Sequence, residues 1–185
     1  MFFLLLFSQH VAVVLKVKGD AVVVRKDSTF ALKKGDVLYV EDEIKTGEKS
    51  LAVLKFLDRK AIVRVKELTS LRLKKPEKGN RVFLFFGEIL NTIKGESFEV
   101  ETPTSVATVK GTEFMIEQSG DTTRVEVYEG RVVLRNDVGE VEIGEGESGI
   151  ACKGRMPEIK KLPRKVEIEF ENERGERRIL EMEVK

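Results

Sequence analysis

The sequence predicts an all-β protein in which many short strands form a β-helix or solenoid-like stack. Short runs of β-branched and apolar residues with period-two alternation recur along the chain. No stretch carries a long helical apolar pattern with capping residues, and Lys-Gly pairs recur at a regular spacing. A twisted β-sandwich with regular hairpins is the alternative arrangement of the same strands.

Alternating runs extend through most of the chain. Residues 51–56 and 61–65 flank a hairpin-like turn at 57–60. The best helical candidate is EILNTI at 88–93, which is short for a helix. Further strands are predicted at 21–26, 36–40, 81–86, 97–101, 105–109, 113–117, 123–128, 131–135, 140–143 and 148–152.

The glycines follow a repeat of 16 residues. Gly79, Gly95 and Gly111 are separated by 16 positions, as are Gly19 and Gly35, and Gly130 and Gly146. A predicted strand follows each glycine in this phase, and glycine accommodates backbone conformations with positive φ. The repeat therefore predicts a recurring corner between stacked coils.

The first ten residues, 1–10, are predicted to be the remnant of a signal peptide. The apolar run MFFLLLF at 1–7 is much shorter than the about 20 residues of a membrane span, but its length suits a signal-peptide core. A buried first strand is the alternative. We therefore expect an extracytoplasmic protein, in the periplasm or cell envelope, with no membrane span in its mature form.

An all-β domain is expected over 11–153, followed by a linker and a C-terminal β-hairpin over 154–185. Residues 154–165 contain two of the chain's four prolines. Residues 165–172 and 177–185 then alternate around a turn, and an isolated hairpin is marginal in water. The hairpin is therefore expected to dock on the main domain, to cap its end, or to mediate self-association.

The composition argues against catalysis and nucleic-acid binding. The chain has one histidine, His10, and one cysteine, Cys152, so it offers neither a zinc ligand set nor an intrachain disulfide. Its 33 basic and 32 acidic residues leave a net charge of +1, which gives no basic footprint for nucleic acid. We expect no catalytic residues, no metal and no cofactor. Charged residues make up 35% of the chain, a composition typical of thermophiles.

The segment TPTSVATVKGTEF at 102–114 resembles the central signature of the FecR domain family. Other motifs of the family follow the same order: LKKGDVL at 32–38, the stretch at 43–60, and VYEGRVVL at 127–134. The resemblance extends over about residues 18–152. The residues that carry it are Thr102, Pro103, Val109, Lys110, Gly111, Thr112 and Phe114, together with Gly35, Asp36, Thr46, Gly47 and Gly130.

These signature residues are interpreted mainly as a structural corner, with a ligand-contact loop as the alternative. Pro103 favours an extended conformation at Thr102 and lacks a backbone donor. Gly111 permits a tight bend, and Thr112 is expected to hydrogen-bond the free amides of that bend. Phe114 then returns to the core.

Three other clusters are weaker candidates. Lys74, Lys75, Lys78 and Arg81 form a basic loop that could contact phosphate or anionic envelope polymers, or could simply be solvated. The acidic run at 41–43 could bind a hard cation, although a solvated turn is favoured. Glu99 and Glu101 share one face of a predicted strand, as paired glycosidase carboxylates would.

The resemblance implies an extracytoplasmic domain. The namesakes of the family combine a cytoplasmic anti-sigma segment and a membrane span with a periplasmic sensing part, but this chain is more similar to stand-alone exported members. We therefore expect a non-catalytic binding or scaffold module with an envelope protein or glycan as partner. The alternative is a sensor or signal-transduction component related to FecR-type regulators of extracytoplasmic-function sigma factors.

Overall fold

The predicted all-β class is confirmed. The computed structural model describes residues 10–57, 60–75, 79–95, 97–162, 165–171 and 177–183. For residue 60 and for the ranges 165–171 and 177–183, it describes only the backbone. The described residues form 19 strands and no helix. Over this part of the chain, no helix is long and apolar enough to cross a membrane. The proposed signal remnant lies almost wholly outside the described residues.

The strands follow one another closely along the chain. The first nine are β1 His10–Lys18, β2 Ala21–Arg25, β3 Ser28–Ala31, β4 Val37–Tyr39, β5 Glu43–Thr46, β6 Leu51–Phe56, β7 Lys60–Val65, β8 Ser70–Lys74 and β9 Asn80–Lys94. The others are β10 Phe98–Glu101, β11 Val106–Val109, β12 Glu113–Ser119, β13 Thr122–Glu129, β14 Arg131–Arg135, β15 Glu140–Gly144, β16 Glu147–Cys152, β17 Glu158–Lys161, β18 Lys165–Glu171 and β19 Arg177–Glu183.

Strands β1 to β17 form one 17-stranded sheet that folds over into two facing layers. Layer A has the order β4-β1-β6-β7-β9-β12-β13-β16-β17. Layer B has the order β3-β2-β5-β8-β9-β10-β11-β14-β15. Strand β9 belongs to both layers and connects them.

Strand β9 passes between the layers at Gly87. Its first half pairs with β8 and β10 in layer B, and its second half pairs with β7 and β12 in layer A. Gly87 has a φ of +93°, and an added Cβ would lie within 2.7 Å of the Thr69 Cβ. The helical candidate at 88–93 is therefore a strand, because backbone pairing on both sides and alternate burial in the core outweigh its local pattern.

The solenoid stack is not confirmed. The sheet is mixed rather than a succession of parallel coils, with β9 and β10 parallel and the other described pairings antiparallel. The sheet is also not closed, because layers A and B each end in strands with one described neighbour. The glycine repeat nevertheless marks corners: six of its glycines, each with positive φ, lie where the chain passes between layers. These are Gly19, Gly35, Gly95, Gly111, Gly130 and Gly146.

The hydrophobic core lies between the two layers. Phe56 of layer A and Phe98 of layer B meet edge to face, with ring centroids 5.3 Å apart. Both side chains are at most 2% exposed, and they belong to one continuous cluster of buried Val, Leu, Ile, Phe and Ala residues. Burial of apolar surface contributes about 25 cal/mol per Å² to the free energy of folding. The alternate residues that face inward therefore stabilise the packing of the two layers.

The C-terminal strands form a separate two-stranded sheet. β18 pairs with β19 in antiparallel register, which places Ile168 opposite Leu180 along the backbone. This antiparallel pairing is the one that the predicted hairpin requires. Its predicted turn at 173–176 and its apolar face lie outside the residues and side chains that the structure describes.

Candidate functional site: the signature corner and the sheet ends

The Thr-Pro-Thr-Ser segment of the signature forms the loop between β10 and β11. The Thr102 N–H donates to the Ser105 carbonyl at 2.8 Å, and the Ser105 N–H donates to Thr102 Oγ1 at 2.9 Å. These two bonds close a tight turn with Pro103 exposed at its tip. Because proline has no N–H, its position at the tip leaves no donor unsatisfied.

The hydroxyls of this loop join a buried network that crosses to layer A. Thr123 Oγ1 of β13 lies 2.7 Å from Thr102 Oγ1 and 2.5 Å from Thr104 Oγ1, and it donates to Gln118 Oε1 at 2.5 Å. The Gln118 amide in turn donates to the Gly120 carbonyl at 2.7 Å. Thr123 is fully buried and Gln118 is 2% exposed, so each hydroxyl depends on its partners in the network.

A polar groove opens beside this network. Its volume is about 220 Å³, and Arg135 and Asp137 supply its charges. Asn136 is already engaged, because its Oδ1 accepts the N–H of Val138 at 2.9 Å. The groove can therefore offer one cation and one carboxylate to a ligand. Its wall consists of Thr102, Thr104, Ser105, Val106, Arg135, Asn136 and Asp137.

The Gly-Thr pair of the signature packs against the next corner of the sheet. Gly130 has a φ of +86°, and an added Cβ would lie 2.8 Å from the Gly111 carbonyl oxygen and 3.0 Å from Thr112 Oγ1. Thr112 Oγ1 donates to the Arg131 carbonyl at 2.9 Å. The predicted bond to free amides is therefore wrong: the hydroxyl acts as a donor, because the neighbouring corner presents a carbonyl.

The remaining signature residues lie in the two strands beside this corner or at the corner itself. Val109 is 3% exposed and Phe114 is fully buried in the core. Lys110 lies exposed at the corner. These positions explain the apolar and polar character of the motif through packing alone, whereas a role for any of them in ligand contact stays a prediction.

The Thr46-Gly47 pair forms a corner of the same kind. Thr46 Oγ1 donates to the Lys66 carbonyl at 2.5 Å and accepts the Thr69 N–H at 3.1 Å. The Gly47 N–H donates to the Asp20 carbonyl at 2.8 Å. The hydroxyl therefore joins the β5–β6 corner to the β7–β8 turn.

Gly35 and Asp36 hold the connection between β3 and β4. The Gly35 N–H donates to the Val14 carbonyl at 2.8 Å, and the Asp36 carboxylate accepts the Lys33 N–H at 2.7 Å. An aspartate that caps its own turn is typical of tight loops. This motif therefore positions strand β4 beside β1.

Two residues of the basic loop, Lys74 and Arg81, are engaged within the protein. Lys74 Nζ lies 3.5 Å from Glu41 Oε2, and Arg81 Nε lies 2.8 Å from Glu99 and 3.1 Å from Glu101. Lys75 is exposed, and Lys78 lies outside the described residues. Anion contact by these four residues stays a prediction. The Glu99 and Glu101 carboxylates face a cation of their own layer.

The acidic run at 41–43 is likewise paired. Asp42, 1% exposed in its side chain, binds the Arg25 guanidinium through both oxygens at 2.8 and 2.7 Å. Burial alone raises the pKa of Glu43, but hydrogen bonds from Arg72, Lys45 and Ser70 outweigh it and hold that pKa below its usual value. Among the described residues, no group of His, Cys, Asp or Glu could hold a metal ion.

Sequence reasoning missed a larger groove at the end of the sheet where β3 and β4 lie. This groove has a volume of about 680 Å³ and is lined by residues of β2, β3 and β4. Phe30 is 52% exposed and Val37 is 38% exposed. The Arg25 guanidinium lies 4.3 Å from the centroid of the Tyr39 ring, and both residues line the groove.

A smaller groove of about 320 Å³ lies on the outer face of layer A. Leu90 and Met115 contribute to its apolar surface, and the Lys66–Glu88 ion pair and Tyr128 line its rim. Burial, together with the nearby Glu126 carboxylate, raises the pKa of Tyr128 to about 12. Its phenol therefore stays protonated and donates to Glu126 at 3.1 Å.

Comparisons with known proteins agree with the signature. Residues 42–133 match the model of the family described as FecR protein. Two crystal structures of a candidate anti-sigma factor from Parabacteroides distasonis ATCC 8503 share the fold, each with a TM-score of 0.57 and 18% identity. The match covers 65% of this chain and 59% of each of those chains, and no curated protein matches. The resemblance is thereby confirmed: residues 42–133 are a FecR domain.

Proposed function

We propose that the chain is a non-enzymatic component of a FecR-type regulatory system and transmits a signal outside the cytoplasm. The observation that carries this proposal is the FecR match over residues 42–133, which contains the signature loop at Thr102 and the corner at Gly111. The shared fold with a candidate anti-sigma factor supports it. The extracytoplasmic location and the sigma-factor connection are parts of the same proposal.

The signature loop is a suitable receiver of such a signal. It lies in layer B, but its hydroxyls bond to Thr123 in layer A, so a ligand at the adjacent groove would act on both layers. Arg135 and Asp137 at the groove would orient a polar or zwitterionic group. A change in this contact would reach β13 through hydrogen bonds rather than through a hinge.

A binding or scaffold module for an envelope protein or glycan is the second candidate. The outer groove of layer A favours it, because Leu90 and Met115 give an apolar surface beside the Tyr128 phenol. Phenol rings are common where a surface binds both apolar and polar groups. This function would require no communication between the layers.

In-cell crosslinking distinguishes the two candidates. We expect a tagged chain, expressed in its native host, to be crosslinked outside the cytoplasm to a membrane-bound sigma-factor regulator or to the receptor that such a regulator serves. Asp137→Lys at the groove should reduce this crosslink, whereas Asp121→Lys at the exposed β12–β13 turn should not. Recovery of envelope glycan alone would contradict the regulatory function and favour the second candidate.

A further inference from the structure

The 17-stranded sheet has two open ends, and each end presents one strand from each layer. At the first end, the described pairings give β3 only the neighbour β2 and give β4 only β1. At the second end, β15 pairs with β14 and β17 pairs with β16 among the described strands. Such edges carry backbone donors and acceptors that can pair with a further strand.

The first end contains a concave apolar surface. The groove of about 680 Å³ runs between β3 and β4, and the exposed Phe30 and Val37 side chains lie along it. All four side chains of β3 are exposed, including that of Phe30. An exposed phenylalanine on an edge strand is the opposite of the charged or proline residues that usually protect such an edge.

The second end carries an apolar projection. Val138 is 50% exposed, Met156 is 51% exposed and Ile159 of β17 is 41% exposed. An added Cβ on Gly139 would lie 2.9 Å from Met156 Cε, so Met156 packs over the turn that holds Val138. The three side chains therefore belong to the end of the sheet opposite the groove.

In layer B, the two edges carry opposite charge, whereas the β17 edge of the second end carries Lys160 and Lys161. Residues 25–34 include four cations and one carboxylate, and residues 137–147 include five carboxylates and no cation. Asp42 pairs with Arg25 at the first end and Arg131 pairs with Glu142 at the second. An excess of positive charge remains at the first end even with Asp36 counted, and an excess of negative charge remains on the β15 edge.

We propose that the chain associates head to tail with a second copy of itself. The Val138 and Met156 projection of one copy enters the Phe30 groove of the next, with the acidic β15 edge beside Lys26, Lys33 and Lys34. Each end presents one strand from each layer. The contact can therefore continue both layers of the sheet from one copy into the next. The interface is heterologous, so each copy keeps one end available and the assembly grows with concentration.

Sedimentation of the full chain over a range from micromolar to near-millimolar concentration tests this association. The average mass of the wild-type protein should rise beyond that of a dimer, and rising salt should weaken the rise. Phe30→Lys at the groove and Val138→Lys at the projection should each hold the protein at the monomer mass. Phe86→Lys is the matched control, because Phe86 is also 52% exposed but lies in the middle of layer B.

A mixture of the two variants identifies the geometry of the contact. The Phe30→Lys protein keeps its projection and the Val138→Lys protein keeps its groove, so the mixture should form a 1:1 complex of twice the monomer mass. Unfolding midpoints equal to that of the wild type confirm that each variant is folded. Thr29→Glu and Glu140→Lys provide a second pair where a first variant does not fold, because Thr29→Glu sets an acid against the acidic β15 edge and Glu140→Lys sets a cation against the lysines of the first end.

Several outcomes would overturn the proposal. A wild-type protein that stays monomeric over the whole range has no such contact. Self-association that survives both substitutions would place the contact elsewhere, as in the C-terminal hairpin. An equal loss in the Phe86→Lys control, or no complex in the mixture, would exclude the head-to-tail interface.

Discussion

The hydroxyl oxygens of Thr102 and Thr123 lie 2.7 Å apart, although 21 positions separate them in the sequence and they belong to different layers of the sheet. Thr102 lies at the start of the signature loop, and Thr123 lies in β13, the third strand after that loop. The family signature thus does more than turn the chain. It places a polar bridge between the layers, next to a groove with two charged side chains.

Thr123→Val should destabilise the fold by about 1–3 kcal/mol, because it removes the buried hydrogen bonds that the Thr123 hydroxyl makes with Thr102, Thr104 and Gln118. Urea unfolding at equilibrium measures this loss. Thr108→Val is the control, since Thr108 is only half-buried on β11. Equal effects of the two substitutions would show that the network contributes nothing.

Gly130→Ala should cost more stability than Gly146→Ala. Both glycines have positive φ, +86° and +74°, so each substitution carries a strain of about 1–2 kcal/mol. Only at Gly130 would the new Cβ approach backbone, 2.8 Å from the Gly111 carbonyl oxygen, whereas nothing lies within 4 Å at Gly146. Thermal unfolding of both variants provides the comparison. Equal losses of stability in the two variants would mean that the positive φ alone, and not the close contact at Gly130, makes glycine necessary at these corners.

Asn91→Leu should raise the free energy of unfolding by about 1–2 kcal/mol, because the Asn91 side chain is fully buried and its Oδ1 has no partner. Its Nδ2 lies 3.4 and 3.5 Å from the Ile89 and Phe114 carbonyls, which are long contacts. The same substitution at Asn136, whose amide is well bonded, should destabilise instead. Urea unfolding measures both changes, and a clear loss at Asn91 would contradict the account.

Acid should weaken the fold in part through Glu43. Its pKa is lowered in the folded protein, so its contribution to stability is complete above the unfolded pKa of about 4.5 and is lost as pH falls further. Glu43→Gln should therefore make the unfolding free energy less dependent on pH between about pH 5 and pH 3. Glu129→Gln, on an exposed position of β13, is the control. A Glu43 variant with the full wild-type pH dependence would refute this assignment.

Much of the fold could be predicted where apolar and polar residues alternate in step with burial. The strand at 51–56 coincides with β6, because its alternate residues face the core. Strand β3 was missed, since all its side chains are exposed and leave no alternation. The strand character of 88–93 depends on pairing with β7 and β12, which lie far along the chain. Local pattern cannot encode such partners.

The candidate site could be predicted only where a residue's own backbone preference determines the local structure. Proline at 103 and glycine at 111 indicate corners, and both occur at corners. The partner of Thr102 could not be foreseen, because the contact with Thr123 forms only when the layers face each other. The Phe30 groove likewise requires β3 and β4 to end different layers on the same side.

A transcript profile of the native host tests the regulatory function most directly. Deletion of the gene for this chain should change the expression of a discrete set of genes that share one promoter element. The full chain supplied in trans should restore their expression, and the Asp137→Lys variant should restore it less well than Asp121→Lys. A profile with no such gene set, or one that every variant restores equally, would contradict a FecR-type regulatory role.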